Sequence, residues 1–200
     1  MYSLINPKTS STLHLLHQKA DEDANQRSKI SNESKSMAYL AVSPEVGKFL
    51  YFLAKTSGAQ NIVEFGCSYG ISAIYLGSAA KDNGGTVTTT ELEPNKVEAA
   101  YKNLNEAGLR DLVKILEGDA IETLKTVESQ IDFLFLDGWK DLYLPVFQLL
   151  KPKLKKGAII CADNADHRGG KPLINLLLKE ESEFTASLLF DGRLLVSYFH

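Results

Sequence analysis

Residues 131–143 read IDFLFLDGWKDLY, and this stretch decides the fold. It begins as an uninterrupted apolar run, which is typical of a strand buried on both faces of a parallel sheet. It then changes abruptly to an acid, a glycine, an indole and a lysine at residues 137–140. A strand with this ending delivers those groups to the carboxyl edge of a parallel sheet, where open α/β folds bind ligands. A polar turn after a strand is the simpler interpretation, so the other strands must decide between the two.

The rest of the chain repeats this strand-then-helix pattern. Short apolar or β-branched runs predict further strands at 62–65, 86–90, 113–116 and 158–162, with helical patterns between them. Ser43-Pro44-Glu45 begins a further helix, ahead of the first strand, with a cap residue, a proline and an acid. Residues 185–199 carry an Asp-Gly turn between two apolar runs, which indicates a β-hairpin. The sequence therefore predicts an α/β fold, a Rossmann-like doubly wound sheet of seven mostly parallel strands, with an antiparallel C-terminal hairpin strand and helices on both faces.

The bulk composition is that of an ordinary globular domain. The 200 residues are 44% hydrophobic and 24% charged, which suits a single domain with a sizeable core. A net charge of −3 argues against nucleic acid as a partner, and the basic cluster at 151–156 is interpreted as a solvated helix end. Neither a membrane span nor a secretory signal is recognisable, so we expect a cytoplasmic protein without a membrane partner. Cys67 and Cys161 are expected to be free, buried thiols.

The first 36 residues differ from the remainder because they are polar and weakly periodic. Leu13, Leu15, Leu16 and Ala20 predict one face of a short helix. Such a segment cannot hold a core of its own. We therefore expect residues 1–36 to be a helical and polar lead-in that packs over the active site, followed by the main domain at 37–200.

Every predicted parallel strand ends in a polar or glycine-rich cluster. The loop after the first strand has the pattern G-x-x-x-G at 66–70, and serine at position 68 excludes the dinucleotide fingerprint. Such a loop lets backbone amides approach a ligand closely in front of a helix N-terminus. Glu91, at the tip of the second strand, is placed to accept hydrogen bonds from the hydroxyls of a ribose. A charge at the start of the next helix is an equally good interpretation of Glu91.

Asp137, Asp163 and Asn164 form a second set of strand-end residues. Three oxygen ligands from neighbouring strands suit a hard divalent cation, Mg²⁺ first with Mn²⁺ or Ca²⁺ as alternatives, and suit zinc poorly. For Asp163 and Asn164 alone, a turn or cap is the commoner explanation. Lys140 alone would be interpreted as a surface lysine paired with Asp141. Only the combination of strand ends favours a site.

These residues together resemble the cation-dependent small-molecule O-methyltransferases, the group that contains catechol O-methyltransferase and caffeoyl-CoA O-methyltransferase. The resemblance runs from about residue 42 to the C-terminus. It is carried by five motifs: VEFGCSYGISA (63–73), TTTELEP (88–94), EGDA (117–120), FLDGWKDLYLP (135–145) and ADNA (162–165). The fourth motif is especially close to the catechol enzyme. The resemblance implies a methyltransferase that acts on a phenolic, catechol-like acceptor. Members of this family are often homodimers, so a homodimer is a further expectation.

The resemblance also implies roles for individual residues. S-adenosylmethionine is expected along the strand ends, with Gly66 and Ser72 on its methionine part near Val42 and with Glu91 on its ribose. Its adenine is expected to be bordered by Asp119, Ala120 and Trp139. Four further strand-end residues complete the expected cofactor site, namely Glu64, Ser68, Gly70 and Asp137. The divalent cation is expected on Asp137, Asp163 and Asn164, and Lys140 falls where the family places its general base.

The chemistry agrees with this assignment. Methyl transfer from a sulfonium to a phenolic oxygen is an in-line displacement, so the enzyme must align oxygen, carbon and sulfur. A cation chelated by two vicinal hydroxyls would fix that alignment and lower the pKa of the attacking hydroxyl. Alternatives are a methyltransferase that uses no metal, a non-catalytic module that binds the adenosyl group, and, more remotely, an oxidoreductase that uses a nicotinamide cofactor.

Two departures from the family pattern concern the walls of the site. Gly138 stands where the catechol enzyme has a histidine before the tryptophan. No acid is recognisable near the C-terminus that would hold the second acceptor hydroxyl. Asp191 is the nearest candidate, but its position before Gly192 predicts a hairpin turn instead.

Overall fold

The central strand, Ile131–Leu136, is buried on both faces, as its sequence predicts. Its last four residues have no exposed surface in the computed structural model, which describes residues 2–27, 38–128, 130–179 and 183–200. Side chains alternate along a strand, so Phe133 and Phe135 pack into one hydrophobic core and Leu134 and Leu136 into another. The apolar run therefore supplies the middle layer between two cores.

Seven strands form one sheet. They are β1 (Asn61–Phe65), β2 (Thr86–Glu91), β3 (Val113–Glu117), β4 (Ile131–Leu136), β5 (Leu154–Ala162), β6 (Phe184–Leu189) and β7 (Leu194–Phe199). Their order in the sheet is β3-β2-β1-β4-β5-β7-β6. Strands β1 to β5 pair in parallel, β7 runs antiparallel to β5, and β6 runs antiparallel to β7. The predicted fold, including the antiparallel hairpin strand, is confirmed.

Helices cover both faces of the sheet. They are α1 (Pro7–Arg27), α2 (Pro44–Thr56), α3 (Ile71–Asn83), α4 (Pro94–Glu106), α5 (Ala120–Thr123), α6 (Tyr143–Leu150) and α7 (Lys171–Leu177). The first core joins α1–α4 to one face, and the second joins α5–α7 to the other. The predicted cap of α2 forms, because the hydroxyl of Ser43 accepts a hydrogen bond from the amide of Val46 at 3.2 Å. With both faces covered by helices, the carboxyl edge of the sheet is bordered by the loops that follow the strands.

The N-terminal segment is more ordered than its sequence predicts. Helix α1 has 21 residues instead of being short, and Leu13, Leu16 and Ala20 are buried in the first core. Leu15 is 45% exposed, because its angular position on the helix falls outside the buried face. The hydroxyl of Thr9 also donates to the carbonyl of Ala107 at 3.1 Å. Helix α1 therefore packs on the first core, the division of the chain at residue 36 stays a prediction, and residues 28–36 lie outside the described residues.

The basic cluster at 151–156 is not a solvated helix end throughout. Strand β5 begins at Leu154, and Lys155 forms an ion pair with Asp132 at 2.6 Å. Lys153 donates to the carbonyl of Lys125 at 3.1 Å, so it closes the end of the preceding short helix.

Two further observations concern expectations drawn from composition. Cys67 and Cys161 are free and buried, as predicted. In the described ranges, no helix combines the length and the apolar character that crossing a membrane requires.

Candidate active site

The carboxyl ends of the parallel strands lie along one edge of the sheet, and we divide that edge into two halves. The glycine-loop half follows β1–β3 and carries Glu64, Gly66, Ser68, Gly70, Ser72, Glu91, Asp119 and Ala120. The ion-pair half follows β4 and β5 and includes the start of β7, with Asp137, Gly138, Trp139, Lys140, Asp163, Asn164 and Arg193. The halves meet between β1 and β4, where the amide of Asp137 donates to the carbonyl of Phe65 at 2.8 Å.

Gly66 is the closest point of contact between the two halves. Its φ is +100°, and a Cβ at this position would lie 2.7 Å from the Cα and the backbone nitrogen of Gly138. Any side chain would therefore both strain the backbone and push the two loops apart. The predicted need for glycine after β1 thus has two separate causes, conformation and close approach. Gly70, with φ of +86°, ends the same loop and begins α3.

Glu91 and Ser68 are joined to each other across the glycine loop. The amide of Ser68 donates to Oε2 of Glu91 at 2.7 Å, and Oε1 of Glu91 accepts from the amides of Leu92 and Glu93 at 2.9 and 3.0 Å. The carboxylate therefore lies just before α4, which agrees with the alternative interpretation of Glu91 as a charge at the start of that helix. Ser68 itself has a left-handed φ of 47°, and its buried hydroxyl has no hydrogen-bond partner among the described residues. A buried hydroxyl of this kind could form a hydrogen bond with a bound ligand.

Glu64 is fully buried at the base of the same half. Its Oε2 accepts a hydrogen bond from the hydroxyl of Thr89 at 2.6 Å, whereas Oε1 has no partner of hydrogen-bond geometry in the described part of the chain. Burial raises the pKa of Glu64 to about 7. The hydroxyls of Ser72 and Thr89 oppose this rise, because they favour the ionised carboxylate. The raised pKa favours the protonated carboxyl, which can donate a hydrogen bond as well as accept one.

The other predicted cofactor residues lie around this loop in different environments. Val42 and Ser72 are buried, 2% and 6% exposed, beside the starts of α2 and α3. Asp119 caps α5, because its Oδ1 accepts from the amide of Ile121 at 2.7 Å, and Ala120 is the first residue of that helix. Trp139 is 68% exposed, so one face of its indole is available to a ligand. These positions fit the predicted roles, which remain predictions.

Gly138 has a steric reason to be glycine. A Cβ there would lie 2.4 Å from Cζ of Phe65, whose ring occupies the space that a side chain at 138 would need. The ring of Phe65 in turn packs edge-on against Tyr143, with centroids 6.3 Å apart. An aromatic side chain from β1 therefore fills the space that a side chain at position 138 would need.

Asp137 and Lys140 form the first ion pair of the ion-pair half. Nζ of Lys140 donates to Oδ1 of Asp137 at 2.9 Å and to its carbonyl oxygen at 3.2 Å. Burial raises the pKa of Asp137 to about 6, opposed by the Lys140 ammonium and reinforced by the negative charge of Asp163. Lys140 pairs with Asp137 and not with Asp141, so the expected surface pair is not the one that forms.

Asp163 and Arg193 form the second ion pair, which sequence reasoning missed. Nε of Arg193 donates to Oδ1 of Asp163 at 3.1 Å, and Nη2 donates to Oδ2 at 3.1 Å. The carboxylate is 2% exposed, while the arginine side chain is 44% exposed. The hydrogen bonds to Asp163 raise the pKa of Arg193 above its ordinary value. The amide and carbonyl of Asp163 are also used, by Leu136 at 3.0 Å and by the hydroxyl of Tyr143 at 2.9 Å.

The candidate cation ligands are adjacent but already neutralised. Asp137 and Asp163 follow paired residues of β4 and β5, and Asn164 comes next in a left-handed conformation. Within the described ranges there is no group of three or more histidine, cysteine or carboxylate side chains able to hold a metal, so an ion here would depend on the amide of Asn164. Each carboxylate is paired with a cationic side chain. The donor set is thus of the right chemical type, but it does not fit a divalent cation while Arg193 holds both oxygens of Asp163.

The arrangement can perform a defined kind of chemistry. The glycine-loop half offers unfilled polar groups and backbone amides to a ligand with hydroxyl and charged groups. The ion-pair half offers a lysine and an arginine beside buried carboxylates, a setting suited to removing a proton and stabilising an oxyanion.

Comparison with known proteins identifies relatives of this chain. The sequence model of a family described as O-methyltransferase matches residues 18–174. A catechol O-methyltransferase from Niastella koreensis is 37% identical over 141 residues, which cover 68% of this chain and 63% of that protein. This chain thus spans less than two thirds of that relative. The crystal structure of the O-methyltransferase from Bacillus cereus in complex with SAH has a TM-score of 0.77 at 25% identity, covering 95% of this chain and 91% of the other. The O-methyltransferase TomG from Streptomyces achromogenes, solved with SAM, has a TM-score of 0.70 at 25% identity, covering 90% and 96%.

Proposed function

The chain belongs to the O-methyltransferase family, and we propose that it transfers the methyl group of S-adenosylmethionine to a hydroxyl of a catechol-like or other vicinal dihydroxy small molecule. One observation carries this proposal. A loop with unfilled buried polar atoms and a paired lysine lie on the same sheet edge, in contact through Gly66 and Gly138. A methyl donor and a hydroxyl to be deprotonated must be held side by side in the same way.

The donor is proposed to lie along the glycine-loop half. Gly66 and Ser72 would hold its methionine part beside Val42, and Glu91 would accept hydrogen bonds from its ribose hydroxyls. The indole of Trp139, with Asp119 and Ala120, would border the adenine. The buried hydroxyl of Ser68 and Oε1 of Glu64 support this placement, because both are polar atoms without a partner among the described residues. Gly70 would lead into α3, so that the amides at the start of this helix face the ligand.

Lys140 is proposed as the general base. In the reaction the acceptor oxygen forms a bond to the methyl carbon while the carbon–sulfur bond breaks and its electron pair stays on sulfur. The hydroxyl proton must leave at the same time, and Lys140 would take it in its amine form, since an ammonium has no lone pair. Asp137, at 2.9 Å, would hold the resulting ammonium.

A cation-dependent form of the same reaction is the second candidate. It is favoured by the three oxygen ligands Asp137, Asp163 and Asn164 at adjacent strand ends, which suit Mg²⁺ and, less well, Mn²⁺ or Ca²⁺. It requires Arg193 to leave Asp163 before the ion binds.

The N-terminal segment is proposed to pack over the active site next to the glycine loop. Tyr39 stacks on Tyr69 of the glycine loop with ring centroids 3.8 Å apart, and its amide donates to Asp23 of α1 at 3.0 Å. These contacts connect α1 to the loop proposed to hold the donor, which supports packing over the site.

The proposal is tested with S-adenosylmethionine labelled in its methyl group and with pairs of acceptors that differ by one hydroxyl. We expect a labelled methyl ether from catechols and a much slower reaction, or none, with the matched monophenols. Binding of the donor without methyl transfer to any acceptor would instead favour a binding module. Tighter binding of a nicotinamide dinucleotide than of S-adenosylmethionine would exclude the assignment of the donor site.

A further inference from the structure

We propose that the guanidinium of Arg193 supplies the positive charge and the hydrogen bonds that hold the acceptor oxygens, so that methyl transfer in this protein needs no divalent cation. The inference rests on the proposed function, and it concerns a residue that neither the sequence motifs nor the family match assigns a role. It follows from the pairing of Arg193 with a residue predicted to bind the cation.

The ion pair occupies both oxygens of Asp163. The contact is made side-on through Nε and Nη2, which is the bidentate geometry that fixes an arginine most firmly against a carboxylate. Asp163 is 1% exposed, and its backbone amide and carbonyl are engaged by Leu136 and Tyr143. Because a cation on either oxygen would lie next to the guanidinium charge, it would have to displace the arginine to bind there.

The backbone of Arg193 is fixed as firmly as its side chain. Its amide donates to the carbonyl of Phe190 at 3.0 Å across the hairpin turn, in which Phe190, Asp191 and Gly192 all have left-handed φ values. Its carbonyl accepts from the amide of Ala165 at 2.7 Å, so the start of β7 is tied to the loop that follows Asp163. The guanidinium is therefore delivered to the sheet edge by the fold.

The charges of this half are balanced without an added ion. Two carboxylates, Asp137 and Asp163, face two cationic side chains, Lys140 and Arg193. A dication added to this set would be repelled by both cations. The side chains of Lys140 and Arg193 thus provide the positive charge that a bound cation would otherwise provide.

Arg193 also retains hydrogen-bonding capacity toward a ligand. Asp163 uses the edge formed by Nε and Nη2, which leaves the edge formed by Nη1 and Nη2 with two parallel N–H groups. Among the described residues no acceptor satisfies that second edge, and the side chain is 44% exposed. Two parallel donors match two adjacent oxygens, so a vicinal diol is the acceptor class that this edge would select.

The reaction balances with protein groups alone. The ammonium of Lys140 first releases one proton to solvent; its amine then takes the hydroxyl proton of the acceptor, and the oxyanion is stabilised by the second edge of Arg193. The oxygen lone pair then forms the O–C bond as the C–S bond breaks, and the neutral thioether and the methyl ether leave.

The test combines Mn²⁺ binding with methyl transfer in the intact chain. Mn²⁺ is titrated by electron paramagnetic resonance into wild type, R193M, the double variant R193M/D163N and R110M. Arg110 is a matched control because it stacks on Tyr101, 3.7 Å from the ring centroid, and is not part of the site. We expect no saturable Mn²⁺ binding by wild type or R110M up to the highest concentration used, saturable binding by R193M with a Kd at least about tenfold below that concentration, and loss of this binding in the double variant.

Methyl transfer gives the second readout. We expect wild type to react equally fast with Mg²⁺ and with a chelator, and R193M to lose about 100-fold or more in chelator, as for removal of an oxyanion donor. R193K keeps the charge without the two-pronged contact and should lie between them. It also keeps the test valid if R193M does not fold, which thermal unfolding would reveal.

Three results would overturn the inference. They are saturable binding of Mn²⁺ by wild type that D163N removes, loss of wild-type activity in chelator, and failure of R193M to gain Mn²⁺ affinity or to lose activity. If no acceptor is methylated at all, the proposed function fails. The Mn²⁺ titration would still decide whether Arg193 occupies the place of a cation, so the two failures are distinguishable.

Discussion

The two halves of the strand-end edge differ in how completely their polar groups are satisfied. In the glycine-loop half, Oε1 of Glu64 and the hydroxyl of Ser68 are buried without a partner among the described residues. In the ion-pair half, both buried carboxylates have cationic partners within 3.1 Å. Unpaired buried polar atoms are costly, so the first half is built for a ligand that completes it. The carboxylates of the second half are paired without a ligand, and the second edge of the Arg193 guanidinium is left for whatever lies beside it.

The largest effect is expected in the ion-pair half, at Lys140. Lys140→Arg keeps the positive charge beside Asp137 but removes a base able to accept a proton, so turnover should fall by roughly 10²- to 10⁴-fold. Affinity for S-adenosylmethionine should stay unchanged, since the glycine-loop half is intact. Steady-state kinetics and calorimetry on the same preparations separate the two quantities. Lys114→Met, at an exposed position of β3, is the control. If Lys140→Arg stayed active, Lys140 would not be the general base and would contribute only its charge.

The next effect is expected where the two halves touch. Gly66→Ala should weaken binding of S-adenosylmethionine by about 100-fold or more, because a Cβ would meet the backbone of Gly138 and the φ of +100° costs about 1–2 kcal/mol for a non-glycine residue. Gly84→Ala has a comparable φ of +72° but no atom within 4 Å of the added Cβ. It therefore carries the conformational cost alone. If calorimetry gave both variants the same affinity for S-adenosylmethionine, the close approach of Gly66 to Gly138 would not explain the loss of binding.

A pH dependence is expected from the glycine-loop half. The pKa of Glu64 is raised from 4.5 to about 7 in the folded protein. Its contribution to stability is therefore complete below pH 4.5 and is lost as the pH rises to about 7, by up to about 3 kcal/mol. Urea unfolding of wild type and Glu64→Gln at pH 5 and pH 8 measures this, and the variant should lose less stability across that interval. Glu122→Gln, on an exposed side chain, is the control. Parallel pH profiles for wild type and Glu64→Gln would contradict the assignment.

The smallest effect is expected at Gly138. Gly138→Ala should lower the free energy of unfolding by about 1–3 kcal/mol, because its Cβ would lie 2.4 Å from the ring of Phe65. Phe65→Leu makes room, so the double variant should be more stable than the sum of the two single losses predicts. Denaturant unfolding of the four proteins completes the cycle. Strict additivity would mean that the ring of Phe65 is not what excludes a side chain at 138.

The fold could be predicted almost completely because its signals are local. The apolar run at 133–136 and the repeated strand-then-helix pattern are read from neighbouring residues, and the Asp191-Gly192 turn marks the hairpin. Helix α1 was underestimated, because its burial depends on contacts such as Thr9 with Ala107, 98 residues apart. Local periodicity carries no information about a partner surface so distant in sequence.

The candidate site could be predicted only as far as strand ends reveal it. Asp137, Lys140 and Asp163 follow strands directly, whereas Arg193 enters from the antiparallel hairpin. One signal could have found it. If β7 runs antiparallel beside β5, the residue that precedes β7 must lie close to the residues that follow β5, so Arg193 falls near Asp163. The steric basis of Gly138 could not be found in this way, because it depends on the rotamer of Phe65.

The most direct test of the whole account is a methyl-transfer assay on the wild-type protein with labelled S-adenosylmethionine and catechol acceptors, run in parallel with Mg²⁺ and with a chelator. We predict a labelled methyl ether at the same rate under both conditions, since the glycine-loop half binds the donor and the ion-pair half supplies its own positive charge. A product formed only with Mg²⁺ would contradict a self-sufficient ion-pair half. The absence of any methylated product in both reactions would contradict the assignment of methyl transfer itself.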